Sequence, residues 1–165
     1  MENMNQLTEK DVTEILSQRE ELLEGYRKRL EMLSREYEDA DELIGILQMR
    51  SPGVENEIQA SGVNKGLDDI YLMYERQRKK YQEEIHQNML QIMDLIDRVK
   101  HVYLYYLQLP PKEQAILKEI YIEKKQYKEI IKEGMSESSI NRIRKRAIKI
   151  IIQRWEKDNR EEQEE

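Results

Sequence analysis

"MSESSINRIRKRAIKIII", residues 135–152, gathers Arg142, Arg144, Lys145, Arg146 and Lys149 on a short segment of a chain whose formal net charge is −6. At 100° per residue, Ile140, Ile143, Ala147, Ile150 and Ile151 fall on one side of a helical wheel. Ser138, Asn141, Arg142, Lys145 and Lys149 fall on the other. The pattern predicts a helix with one buried half and one cationic half, capped by Ser136 or Ser138 and running to about Trp155. The acidic residues 156–165 beyond it are expected to form a solvated, frayed tail.

The residues before this segment supply its supports. Pro110 and Pro111 stop one helix and open the next, since proline is tolerated in a first turn and not in a helix interior. Pro111–Glu123 is expected to be helical with Ala115, Ile116, Ile120 and Tyr121 inward, and Gln126–Lys132 to be a short helix carrying Tyr127, Ile130 and Ile131. Gly134 then turns the chain. A short helix, a glycine turn and a second helix with a basic outer face make a helix-turn-helix, whose second helix enters the major groove of DNA. In that geometry Arg142 suits a guanine edge, Asn141 an adenine edge, and Lys145 and Lys149 the phosphates.

From Leu109 the stretch "LPPKEQAILKEIYIEKKQYKEIIKEGMSESSINRIRKRAIKII" resembles region 4 of the sigma-70 family, which reads an upstream promoter element. The likeness is carried by Leu109-Pro110-Pro111, Glu113, Leu117, Tyr121, Tyr127, Gly134, Ser136, Ile140, Ile143, Arg146, Ala147 and Ile148. It implies that Ser136 caps the recognition helix and touches phosphate, with Glu137, Ser138, Asn141 and Arg142 where base and backbone contacts are made. With Ser139, Lys145, Arg146 and Lys149 these residues form the expected DNA-binding set. The chain reads "KEGMS" where the family has an apolar residue before the glycine, so its turn is one residue shorter. Nothing matches the aromatic segment with which sigma factors melt promoters. The wider layout is similar to small phage late-gene transcription regulators of the RinA and ArpU type.

Ahead of this domain the sequence is built for long helices. From Val12 apolar residues recur in four-three steps through Leu16, Leu23, Tyr26, Leu30, Leu33, Tyr37, Ala40, Ile44 and Leu47, interrupted by Arg19. A second seam runs Leu67, Tyr71, Tyr74, Arg78, Tyr81, Ile85, Asn88, Ile92, Leu95, Val99, Val102, Tyr106. The expected organisation of residues 1–109 is therefore two heptad helices, about 8–49 and 67–108, joined by a Ser/Gly/Pro loop at 50–66. Asp68 and Asp69 are expected in the first turn of the second helix. The two can fold back as an antiparallel hairpin or pair with a second chain, where a seam Asn such as Asn88 would fix register. Residues 110–155 form the helix-turn-helix domain, with Tyr103, Tyr105 and Tyr106 wrapping the junction. The fold class is all-α: a long N-terminal coiled coil or helical hairpin followed by a small C-terminal helix-turn-helix domain.

Charge follows the same division. Residues 1–109 carry 14 Lys+Arg against 22 Asp+Glu, residues 110–154 carry 12 against 6, and residues 155–165 carry 2 against 6. The whole-chain charge therefore hides a basic domain. With no Cys, and His86 and His101 far apart, no disulfide or metal site is expected, and no nucleophile–base arrangement suggests an enzyme or a cofactor. No apolar run is long enough to cross a bilayer and no leader opens the chain, so the cytoplasm of a bacterial host is the expected location. These features predict a sequence-specific, phage- or prophage-encoded regulator of transcription. Its expected partners are double-stranded DNA at a promoter or operator, RNA polymerase and a second copy of the chain, with no membrane and no small-molecule substrate. Two alternatives stay open: a small terminase-like DNA-packaging factor, and a coiled-coil adaptor that binds RNA polymerase or another protein without reading DNA.

Overall fold

The computed structural model describes residues 6–50, 64–131 and 134–164, and within these the side chains of 41–50, 64, 65 and 67 are outside the description. Among the described residues the chain is all-α, 90% helical, with no strand. Its helices are α1 (Glu9–Arg50), α2 (Asn64–Leu107), α3 (Pro111–Leu117), α4 (Tyr127–Ile131) and α5 (Glu137–Glu164). No described helix is long and apolar enough to cross a membrane. The expected loop falls, from 51 to 63, outside the described residues, as do the Ile44 and Leu47 side chains. Because α2 starts at Asn64, Asp68 and Asp69 lie beyond its first turn, correcting their expected place at the helix dipole.

Two compact units result, one of residues 1–24 with 95–165, the other of residues 25–94. In the second, the arms of α1 and α2 pair within one chain: the Tyr81 hydroxyl donates to Glu36 Oε2 at 3.1 Å and Gln82 Nε2 donates to the Tyr37 carbonyl at 3.3 Å. Glu36 and Tyr81 lie at similar distances from the ends of their helices, as antiparallel arms require. Asn88, expected as a buried register device, is exposed, and its Nδ2 donates to the carbonyl of Glu84 at 3.0 Å.

The first unit begins with a capping box. Thr8 N–H and its hydroxyl donate to Asp11 Oδ2 at 2.7 and 2.6 Å, while Asp11 N–H donates to Thr8 Oγ1 at 3.2 Å. Two of the amides that a helix start leaves unpaired are thereby satisfied. Arg98 of α2 locks the turn, donating to Asp11 Oδ2 and to the carbonyl of Gln6, both at 2.8 Å. Leu7, Val12, Ile15 and Leu16 are buried beyond it. The heptad pattern predicts one unbroken helix, yet α1 kinks at Gln18, where φ is −131° and ψ 26°. The next residue, Arg19, is the seam's one charged position; it stacks its guanidinium 3.7 Å over the Tyr103 ring.

After α2, Pro110 precedes α3 and Pro111 opens it, and the helix widens into a π-turn over Lys118–Ile122. Glu123 N–H closes that turn on the Lys118 carbonyl at 2.8 Å, and Lys124 ends it at φ 53°. Ile116 and Leu117 are buried there, whereas Ala115, expected inward, faces water. The α3 face therefore turns by a residue from the expected one, bringing the Glu113 carboxylate inside.

Burial raises the Asp11 pKa, but the two Thr8 hydrogen bonds and Arg98 outweigh it and hold the carboxyl below its ordinary value. A depressed folded pKa adds stability that is full above the unfolded value and lost as pH falls through the folded one. Asp11→Asn is expected to cost about 1 kcal/mol at neutral pH. In thermal melts the gap to wild type should close as the carboxylate range is crossed toward acid.

Candidate nucleic-acid interface

The start of α5 is fixed by Ser136. Its Oγ accepts the Ser139 amide at 3.3 Å and donates to Ser139 Oγ at 2.8 Å, while Ile140 N–H reaches the Ser136 carbonyl at 3.0 Å. Ser136 is therefore the N-cap, and Ser138 Oγ lies 3.3 Å from its hydroxyl. Gly134, at φ 96°, supplies the left-handed turn before it, a conformation that carries no steric cost for glycine.

Behind that cap, Ile140 and Ile143 bury themselves against Ile116 of α3 and Ile130 of α4, with Ile120, Tyr127 and Met135 packed around them. Ala147, Ile148, Ile151 and Trp155 continue the buried stripe. Ile148 takes the place the wheel gave to Ile150, which is half-buried. Each fully buried isoleucine contributes roughly 1.5–3 kcal/mol, so this side of α5 is strongly determined.

Opposite it, Ser138, Arg142, Lys145 and Lys149 are exposed along one stripe at helical spacing. No described residue forms an ion pair with Arg142, Lys145 or Lys149. Glu137 is also exposed and Ser139 half-buried. The remaining members of the expected set have partners inside the protein. Asn141 Oδ1 accepts the Tyr127 hydroxyl at 3.0 Å, and Arg146 Nη2 lies 2.7 Å from Oε1 of the buried Glu113. An adenine edge needs both the oxygen and the nitrogen of an asparagine, so Asn141 is a brace between α4 and α5 as it stands. Arg146, itself half exposed, ties α3 to α5.

Sequence reasoning missed the role of Arg144. It points inward, donating to Glu9 Oε1 and to the Tyr121 hydroxyl, both at 3.0 Å. Burial pulls its pKa down, but Tyr121 and Glu9 more than offset this, so the guanidinium stays charged. Its place on the wheel, between Ile148 and Ile151 on the buried side, was the available signal; its partner 135 residues away was not.

The far end of α5 also differs from expectation. The helix continues through the acidic segment to Glu164, because Trp155 is buried, Asp158 accepts the Tyr105 hydroxyl and Arg154 Nη1 donates to Gln108 at 3.1 Å. Tyr105 and Tyr106 are buried at this junction. Among the described residues no group of three His, Asp or Glu side chains is placed to hold a metal ion.

No protein-family model, curated protein or solved structure matches this chain. Ile140→Ala is expected to destabilise the C-terminal unit by about 2–5 kcal/mol, whereas Lys145→Ala should stay within about 0.5 kcal/mol of wild type. Denaturant melts followed by Trp155 fluorescence would separate the two.

Proposed function

We propose that the chain is a sequence-specific duplex-DNA-binding regulator of transcription, in which α5 is the recognition helix. The observation that carries the reading is the division of α5. An isoleucine half is packed on α3 and α4, and a stripe of Ser138, Arg142, Lys145 and Lys149 stands in water behind a serine-capped N-terminus. Phosphate is favoured at a capped helix start, where amides and the helix dipole both point to it. The first turns would enter the groove, with Ser136 and Ser138 on phosphate and Arg142 on a guanine edge. Lys145 and Lys149, farther along the stripe, fit the backbone. Arg146 and Asn141, being engaged by Glu113 and Tyr127, would orient the helix rather than touch bases. The resemblance to sigma-70 region 4 supports the same reading and adds promoter or operator DNA and RNA polymerase as partners, in a phage or prophage setting.

Fluorescence anisotropy with duplex DNA tests this. Affinity should fall with salt at a log–log slope of roughly −3 for each α5 engaged, about −0.9 per phosphate neutralised. Arg142→Ala should weaken a specific site by about 1–3 kcal/mol and relax its sequence preference, while Lys145→Ala should weaken all duplexes alike and flatten the slope by about one. Unchanged binding in both variants, or binding of RNA polymerase with no affinity for any duplex, would replace this reading with that of a protein adaptor.

A further inference from the structure

We propose that Tyr127 is a specificity-determining, positioning residue that acts through Asn141: its hydroxyl draws the Asn141 amide toward α4 and leaves the base position opposite that side chain unread. The inference rests on α5 being the recognition helix, and adds where that helix does not choose among bases. Asn141 lies in the second turn of α5, beside Arg142 and one turn before Lys145. Its oxygen and nitrogen together match the N6 donor and N7 acceptor of adenine in one bidentate contact. Yet Asn141 is half-buried, while Ser138, Arg142, Lys145 and Lys149 are exposed. On the wheel it stands about 60° from Ser138 and about 20° from the buried Ile148, on the edge that Tyr127 of α4 reaches.

The contact that holds it there is specific. The Tyr127 hydroxyl donates to Asn141 Oδ1 at 3.0 Å, a partly buried bond between residues 14 apart in sequence. The Tyr127 ring is packed on the isoleucine core shared by α3, α4 and α5, which fixes where its hydroxyl stands. Turning Asn141 to a base would strip that hydroxyl of its acceptor. The loss is of the same order as the gain from a bidentate base contact, so the two cancel and no base is favoured at that position. Tyr127→Phe removes the donor and keeps the ring in the core. Asn141 is then released at no such loss.

Selection of bound sequences from a randomised duplex pool, followed by anisotropy on single-position variants of the recovered site, tests the proposal with the full chain. Wild type should recover a site with an unselected position next to the guanine that Arg142 reads. Tyr127→Phe should select adenine there by roughly 5- to 150-fold, the worth of one bidentate pair. The double variant Tyr127→Phe/Asn141→Ala should lose that preference again. Selection of adenine at this position by wild type, or a Tyr127→Phe profile identical to that of wild type, overturns the role of Tyr127 and leaves recognition by α5 standing. A wild type that binds no duplex, or selects no sequence, overturns both. Should Tyr127→Phe fail to fold by circular dichroism, nuclear Overhauser contacts in the wild-type complex decide. None is expected between the Asn141 side-chain amide protons and base protons, and such a contact overturns the proposal.

Discussion

Burial of the isoleucine side of α5 against α3 and α4 is the constraint from which the rest of the C-terminal unit follows. Ile116, Ile130, Ile140 and Ile143 are each 5% exposed or less, and they come from three separate helices. Two of those helices are too short to persist alone in water. Once Ile140 and Ile143 are buried, helical geometry leaves no freedom to the opposite side: Arg142, Lys145 and Lys149 must face out. Cations on that side cost nothing in desolvation, which is how an acidic chain holds a concentrated basic surface. The same logic separates Arg144 and Arg146 from them. Arg144 lies on the buried side and meets Glu9 and Tyr121, while Arg146 meets the buried Glu113. A buried carboxylate or guanidinium is tolerable only with such a partner.

The N-terminal residues belong to this unit although a long helix separates them from it in sequence. Leu7, Val12, Ile15 and Leu16 are buried, Glu9 reaches α5, and Asp11 reaches Arg98 of α2. The kink at Gln18 lies within this unit, between the buried Leu16 and Arg19, which stacks on Tyr103. Contacts of such high sequence separation are the ones expected to slow folding. The hairpin arms are different: among the described residues they are joined by exposed hydrogen bonds from Tyr81 to Glu36 and from Gln82 to the Tyr37 carbonyl, and the seam residues Tyr74 and Tyr81 are exposed.

Much of this was legible in the residues. Helix class and most helix limits could be read because the breakers are few and Pro110–Pro111 and Gly134 stand between periodic runs. The α5 wheel placed Ser138, Arg142, Lys145 and Lys149 outside and Ile140, Ile143, Ala147 and Ile151 inside, as the structure has them. Where reading failed, a tertiary partner was the cause. "TEKD" at 8–11 is a capping box in composition, but only Arg98 makes it a tether. Residues 156–164 look like a solvated tail until Tyr105 is seen to hold Asp158. Asn141 and Arg146 have the chemistry of base and phosphate readers, and nothing local reveals that Tyr127 and Glu113 engage them first.

Chemical-shift mapping of the isotope-labelled full chain, titrated with a bound duplex, tests most directly that the outward half of α5 is the working surface while its inward half only supports it. The account predicts shifts confined to Ser136, Ser138, Arg142, Lys145, Lys149 and their backbone neighbours, with the methyl groups of Ile116 and Ile130 unmoved. Shifts centred on the hairpin or the acidic end of α5, with the Arg142–Lys149 stripe silent, would contradict it.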